Sequence, residues 1–288
     1  MKKDQLNFDR RSVLRIVACL GVAGAAGLFA SERLRTPGPT PATTPPARPP
    51  AGGPPPGGRP GPTRPLNASG YRLQPMTGYA TPVLRRTTPP VRTRPFLEVS
   101  DIGRAMVLTF DDGPDPRYTP DIVRTLRKYD VRAMFFVCGE MVPANRDLLR
   151  EMADDGHVIG NHTWSHPLIP ALAPSRIRDE LGRTSEVVEK VLGEAPLWYR
   201  APYGAWNRHS FEIGAELGME PLAWTVDTLD WTEPGTEVIV RRVREGAGPG
   251  VVVLSHDAGG ERSQSVAALR SYLPELLNGG YRITVPHR

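Results

Sequence analysis

Two adjacent aspartates, Asp111 and Asp112, follow the apolar run AMVLTF and stand directly before a Gly-Pro turn. Further along the chain, the segment HTWSH separates His162 and His166 by four residues. On a helical turn this spacing would place both imidazoles on one face, within reach of one metal ion. Two histidines and one carboxylate are three protein ligands that leave a position open for water, which is the layout of a catalytic zinc site.

The two aspartates of the doublet are expected to have different roles. Asp-Asp-Gly-Pro is also ordinary turn chemistry, so the doublet alone does not establish a site. Successive side chains of an extended chain point to opposite sides, so both carboxylates cannot face one ion. We therefore expect one aspartate to bind the metal and the other to accept a proton from the attacking water.

Hydrolysis at such a centre also requires a proton donor and a group that holds the developing negative charge. His256 suits the role of donor if a carboxylate keeps it protonated, and Asp230 is the natural partner, with a helix-capping or turn aspartate as the less favoured alternative. Arg200 could pair with the base carboxylate and fix its ionisation. Trp231 could form the wall of a small apolar pocket, or it could be a core residue.

The elements that must position these residues follow a regular alternation after residue 105. Seven short apolar runs are rich in β-forming residues: 105–110, 132–139, 157–162, 197–204, 220–227, 250–257 and 281–285. An amphipathic stretch with helical spacing follows each of the first six, and the seventh closes the series. This alternation predicts a parallel sheet, and the missing glycine-rich loop after the first run disfavours a nucleotide-binding open sheet. We predict an α/β fold, a distorted (β/α)7 barrel, in which catalytic side chains lie at the C-terminal ends of the strands. The candidates stand at these ends.

The region before the barrel divides into two segments. Residues 1–35 contain Arg10-Arg11 and a weakly apolar run at 16–30, which together predict a twin-arginine export signal, or an N-terminal anchor if it is not cleaved. Residues 36–95 are rich in Pro, Gly and Arg, and are predicted to be a disordered linker. A single catalytic domain is predicted at 100–288.

The distribution of charge argues against a nucleic-acid partner. The chain carries a net charge of +5, but residues 1–104 carry +11 and the remainder carries −6. A nucleic-acid enzyme usually has its basic excess on the folded domain. The basic leader and linker could instead contact anionic wall polymers.

Five motifs carry a resemblance to a known family. They are TFDDG (109–113), HTWSH (162–166), RAPYG (200–204), DTLDW (227–231) and LSH (254–256). In this order they resemble the polysaccharide deacetylase family, the NodB homology domain grouped with the carbohydrate esterases. The resemblance covers nearly all of 105–288. It implies a distorted (β/α) barrel and a metal-dependent hydrolysis that removes acetyl groups from N-acetylated sugars.

The resemblance also implies a role for each candidate residue. The catalytic residues it implies are Asp111 as base, Arg200 orienting the base, Tyr203 as a backbone oxyanion donor, His256 as acid and Asp230 tuning the acid. It implies Asp112, His162 and His166 as metal ligands. It implies that Trp231 and Leu254 form the walls of the pocket for the acetate methyl group, with Tyr203 beside them.

The expected function is therefore an N-deacetylase of an extracellular or cell-wall polysaccharide, such as peptidoglycan or a chitin-like polymer of N-acetylglucosamine, releasing acetate. The expected cofactor is a divalent ion, with Zn²⁺ first and other first-row ions as alternatives. An O-acetyl esterase acting on acetylated xylan and a non-catalytic wall-binding protein are the rival hypotheses. We expect an acetylated glycan as the partner, a monomer, and a location outside the cell or in the wall, with membrane contact only through an uncleaved N-terminal segment.

Overall fold

The structure is a computed structural model that describes residues 88–286. The predicted export segment 1–35 and the linker up to residue 87 lie outside the described residues. Within 88–286, every helix is too short or too polar to span a bilayer.

The described residues form eight strands and six α-helices in alternation. The strands are β1 (Ala105–Asp111), β2 (Met134–Val137), β3 (Val158–Asn161), β4 (Trp198–Tyr199), β5 (Glu220–Pro221), β6 (Val226–Asp227), β7 (Val252–His256) and β8 (Arg282–Ile283). The helices are α1 (Thr119–Lys128), α2 (Arg146–Asp154), α3 (Pro174–Leu192), α4 (Arg208–Glu216), α5 (Thr236–Gly246) and α6 (Ser263–Asn278). Each predicted amphipathic stretch contains one of these helices. The predicted run 220–227 is not one strand but two short ones, β5 and β6.

The strands form one parallel sheet in the order β5-β4-β3-β2-β1-β7-β6, with β8 beside the start of β1. The predicted distorted (β/α)7 barrel is confirmed. Its distortion lies between β5 and β6, which are consecutive along the chain but stand at opposite ends of the strand order.

Alternation along β1 separates the two faces of the sheet. Met106, Leu108 and Phe110 pack with apolar residues of the surrounding helices in the largest core cluster. Val107 belongs to a second cluster that contains interior residues of β2, β4 and β7. Because side chains alternate with a period of two, Asp111 shares the interior face with Val107. The strand therefore delivers Asp111 to the inside of the barrel mouth.

A segment upstream of the predicted domain boundary connects β5 with the residues just before β7. The amide of Phe96 donates to the carbonyl of Pro221 at 2.9 Å, and the amide of Val99 donates to the carbonyl of Gly250 at 2.9 Å. Arg92 makes two hydrogen bonds of 2.9 Å to the buried carboxylate of Glu220. We call residues 92–99 the strap. The described fold therefore begins before residue 100, and the last residues predicted as disordered linker contact the barrel.

Candidate active site

The aspartate doublet stands at the carboxyl end of β1, but the chain does not stay extended through it. Asp111 is the last residue of the strand, and Asp112 has a left-handed φ of +80°. As a result both carboxylates approach the same ring: Asp111 Oδ2 lies 3.6 Å and Asp112 Oδ1 lies 3.5 Å from Nε2 of His162. The expectation that neighbouring carboxylates must face apart is wrong here, because the backbone turns between them.

The HTWSH segment is a loop, and the predicted helical turn is wrong. Thr163 and His166 both have left-handed φ values, of +69° and +56°, which a helix cannot contain. The loop nevertheless brings the rings of His162 and His166 to 5.0 Å between centroids. Nε2 of His166 lies 3.4 Å from Asp112 Oδ1. We call residues 162–166 the His loop.

These residues meet the requirements of a metal site. Asp112, His162 and His166 each offer one ligand atom, and the three atoms lie within 4.8 Å of one another. Among the described residues, the buried Asp112 Oδ1 has no hydrogen-bond partner. Burial lowers the pKa of His162 to about 3, so its ring is neutral at physiological pH and can donate a lone pair. A carboxylate with two imidazoles suits zinc and other first-row divalent ions.

Arg200 connects the base candidate to a ligand candidate. Its buried guanidinium donates from Nη1 to Asp111 Oδ1 at 2.7 Å, while its Nε and Nη2 donate to the carbonyls of Leu222 and Ala223. Its backbone carbonyl accepts a hydrogen bond of 2.8 Å from Nδ1 of His162, which leaves Nε2 free to bind an ion. Burial raises the pKa of Asp111, against the lowering effect of the Arg200 charge.

The buried Asp230 and the partly buried His256 form an ion pair beside this centre. Nδ1 of His256 donates to Asp230 Oδ1 at 2.7 Å, and the backbone amide of His256 donates to Asp230 Oδ2 at 2.9 Å. Burial disfavours the His256 charge, but the hydrogen bond and charge of Asp230 outweigh it and raise the pKa of His256 to about 9. The hydroxyl of Ser265 donates to Asp230 Oδ2 at 2.6 Å. The imidazole is therefore kept protonated.

The strand register places His256 next to the base candidate. Asp111 of β1 pairs with His256 of β7 across adjacent parallel strands. Neighbouring strands lie about 4.8 Å apart. The base and acid candidates therefore flank one position at the mouth of the barrel.

The remaining candidates form the rim and wall of the mouth. Tyr203 lies in a short 3-10 turn with a left-handed φ of +60°, and its ring meets the edge of the His166 ring at 4.6 Å between centroids. Tyr203 and Trp231 are 65% and 45% exposed, which is unusual for large aromatic residues in this structure. Leu254 is buried on β7, where it pairs with Thr109 and Asp227.

Sequence reasoning missed three polar residues that hold the site. Thr109 accepts from Arg200 Nη1 at 2.8 Å, and its position two residues before Asp111 on one strand would have indicated this shared face. Asp257 is fully buried and accepts hydrogen bonds from the amide of Gly113 and the hydroxyl of Thr119. Burial raises the pKa of Asp257 to about 7, and the charges of the aspartate doublet add to the effect. The third missed residue is Ser265. It lies in a helical stretch that contains no motif, so the sequence gives no signal for it.

Comparisons with known proteins find a matching family model and similar enzymes. The family model described as polysaccharide deacetylase matches residues 99–222. A peptidoglycan-N-acetylglucosamine deacetylase of Bacillus cereus is 40% identical over 187 residues, covering 64% of this chain and 87% of that protein. A chitooligosaccharide deacetylase of Bradyrhizobium sp. is 38% identical over 192 residues, covering 62% of this chain and 88% of that protein.

A solved structure shows the same fold. It is a peptidoglycan N-acetylglucosamine deacetylase in complex with 4-naphthalen-1-yl-N-oxidanyl-benzamide, with a TM-score of 0.64 and 33% sequence identity. The match covers 68% of this chain and 95% of the other.

Proposed function

Because this chain belongs to the polysaccharide deacetylase family, we propose that it is a metal-dependent N-deacetylase of an extracellular or cell-wall glycan that contains N-acetylglucosamine. The observation that carries the proposal is the convergence of two groups at one barrel mouth. One is the cluster of Asp112, His162 and His166, whose ligand atoms lie within 4.8 Å of one another. The other is the register pair of Asp111 and His256 beside it.

Asp111 is proposed as the general base. Its carboxylate is buried, and Arg200 holds one of its oxygens at 2.7 Å, so the other oxygen is directed toward the ligand cluster. A bound divalent ion would polarise the acetyl carbonyl and acidify a nearby water. Asp111 takes the proton of that water as it attacks, and its raised pKa makes it a better proton acceptor near neutral pH.

His256 is proposed as the general acid. Its Nδ1 proton is engaged by Asp230, so Nε2 carries the proton that is given to the departing sugar amine. The backbone N–H of Tyr203 is proposed to donate to the developing oxyanion. Trp231 and Leu254 are proposed to enclose the acetyl methyl group. All of these residues belong to one chain, so the proposed site needs no residue from a second subunit.

Relatives named for peptidoglycan and for chitooligosaccharides support a glycan of N-acetylglucosamine as the substrate. An acetyl-xylan esterase would use the same residues, because ester and amide hydrolysis share the tetrahedral intermediate. A non-catalytic wall-binding protein would have no use for a charged acid–base pair buried beside a ligand cluster.

The test is a panel of acetylated glycans scored for released acetate. We expect Zn²⁺-loaded protein to release acetate from peptidoglycan or chitin oligomers, and His166→Ala protein to lose both bound metal and activity. Release of acetate from acetylated xylan alone would show that the substrate is an ester and not an amide. If the metal is shown to be bound and no glycan releases acetate, the enzyme proposal fails and the hypothesis of a wall-binding protein remains.

We also propose export by the twin-arginine route, followed by residence outside the cell or in the wall. The support is the Arg10-Arg11 pair before a weakly apolar run. Replacing both arginines by lysine should retain the protein in the cytoplasm, as measured by fractionation. Equal export of the double variant would contradict the proposed route.

A further inference from the structure

Helix α3 presents a buried carboxylate to the His loop. Glu180 is 3% exposed, although an acidic residue is rarely buried without a partner. The amides of Trp164 and Ser165 donate to its Oε2 at 2.9 and 2.8 Å, and the hydroxyl of Ser165 donates to its Oε1 at 3.0 Å. All three donors come from the residues between the two histidines.

The same face of α3 makes further contacts with the loop. The guanidinium of Arg183 lies 3.9 Å above the ring of Trp164. Residues at i and i+3 share one face of a helix, so Glu180 and Arg183 hold the same segment from the same side. From the β2–α2 connection, the amide of Gly139 donates to the carbonyl of Thr163 at 2.9 Å. The His loop is therefore held by both α3 and the β2–α2 connection.

The loop needs such support because its backbone is strained. Thr163 adopts a left-handed φ, which is a genuine outlier for a β-branched side chain, and the φ of His166 is left-handed as well. Strained backbone persists only where the surroundings determine it. Within the loop, the amide of His166 donates to the hydroxyl of Thr163 at 3.2 Å. The carboxylate of Glu180 supplies the external constraint.

The two histidines do not depend on this constraint equally. His162 directly follows β3, is 2% exposed, and is fixed by its bond to the Arg200 carbonyl. His166 is partly exposed and stands at the far end of the loop. If the middle of the loop moves, His166 is the ligand that is displaced.

We propose that Glu180 is a positioning residue of the metal site, which holds the His loop in the conformation that brings His166 to the same ion as Asp112 and His162. The inference rests on the proposed function, because it concerns the metal that this function requires. Outer residues that orient metal ligands typically contribute 10- to 100-fold to metal affinity.

The experiment compares Glu180→Ala, Glu180→Asp and Glu180→Gln in the full chain. Zn²⁺ affinity is measured by competition with a chromophoric chelator, and ligand geometry by the visible absorption of the Co²⁺-loaded protein. We expect Glu180→Ala to bind Zn²⁺ about 10- to 100-fold more weakly with an altered Co²⁺ spectrum. Glu180→Gln should restore most of the affinity, because one amide oxygen can still accept from both backbone donors.

Val188→Ala is the matched control, since Val188 lies on the same helix and packs in the main core away from the loop. It should lower the melting temperature and leave the Zn²⁺ affinity and the Co²⁺ spectrum unchanged. An equal loss of affinity in Val188→Ala and Glu180→Ala, or wild-type affinity in Glu180→Ala, overturns the inference. If Glu180→Ala does not fold, the Glu180→Asp variant tests the inference, because its shorter side chain withdraws the carboxylate from the His loop. Wild-type Zn²⁺ affinity in Glu180→Asp would overturn the inference. A wild-type chain that binds neither ion defeats the proposed function itself, which is a separate outcome.

Discussion

At the scale of single residues, two neighbouring carboxylates have different hydrogen-bond surroundings. Asp111 is held by Arg200, whereas Asp112 Oδ1 faces the two histidines without a hydrogen-bond partner among the described residues. The left-handed backbone of Asp112 makes this possible, because it directs two consecutive side chains into one space.

The first prediction separates the roles proposed for Asp111 and Asp112. Asp111→Asn keeps the shape and the contact with Arg200 but cannot accept a proton. We expect the rate of acetate release to fall about 100- to 10,000-fold while the bound metal remains near one ion per chain. Acetate assays and metal analysis of the same preparation measure both. Asp112→Asn is the paired variant and should lose metal as well, so retained turnover in Asp111→Asn would mean that the base is assigned wrongly.

The second prediction concerns the pH dependence of the acid. The His256 pKa is raised to about 9, so the protonated donor is present below that pH and is lost as the pH rises through it. Asp230→Asn removes the charge that raises the pKa, so the basic limb of the activity profile should move toward pH 6.5, the ordinary histidine value.

Ser265→Ala is the control for Asp230→Asn. It keeps the Asp230 carboxylate, so it should move the basic limb of the activity profile less. A basic limb that does not move in Asp230→Asn would show that His256 is not the titrating donor.

At the scale of elements, the barrel mouth is assembled from loops that approach one another closely. The β7–α6 connection passes close to the β1–α1 connection. Gly259 of the former has a φ of +73°, and a Cβ on it would collide with Oδ2 of Asp112 in the latter. Glycine is required there both by the backbone conformation and by the space.

The third prediction follows from this close approach. Gly259→Ala should displace the Asp112 carboxylate and weaken Zn²⁺ binding by about 10-fold or more, measured by chelator competition. Gly235→Ala is the matched control, because it also has a positive φ, of +97°, but opens onto free space. Both variants should lose about 1–3 kcal/mol of stability from backbone strain. Equal Zn²⁺ affinities in the two variants would contradict the steric argument.

The elements were largely predictable from sequence, and the geometry of the loops was not. Alternating apolar runs and amphipathic stretches predicted the parallel barrel and all six helices, because those patterns reflect burial. The His loop was mistaken for a helical turn because a spacing of four fits a helix and also fits a strained loop held by distant residues. Glu180 lies 14 residues beyond His166, and sequence spacing does not show that a helix returns to the loop.

At the scale of the whole molecule, the barrel is completed by residues that precede its first strand. The strap connects β5 to the start of β7 through Phe96 and Val99, where the sheet itself has no pairing. Phe96 also meets the ring of Trp198 edge-on at 6.2 Å between centroids, within the interior cluster.

The fourth prediction tests the contribution of the strap to stability. Phe96→Ala should lower the free energy of unfolding by about 2–4 kcal/mol, less than for a fully buried ring, because Phe96 is only partly buried. The neighbouring Leu97 is 54% exposed, so Leu97→Ala should change stability by about 0.5 kcal/mol or less. Urea denaturation of both variants measures the difference. Equal stabilities would mean that the strap lies on the barrel without supporting it.

The double attachment of Arg200 has a consequence for how such a chain can change. Its carbonyl is bonded to His162 and its guanidinium to Asp111, so one residue braces a metal-ligand candidate against the base candidate. The exposed rim residue Trp231 takes no part in that bracing, whereas the ring of Tyr203 packs against His166. Substitutions at Trp231 should therefore leave the placement of Asp111 and His162 unchanged. A library randomised at Trp231 could explore new acyl groups and glycans while these two side chains stay fixed.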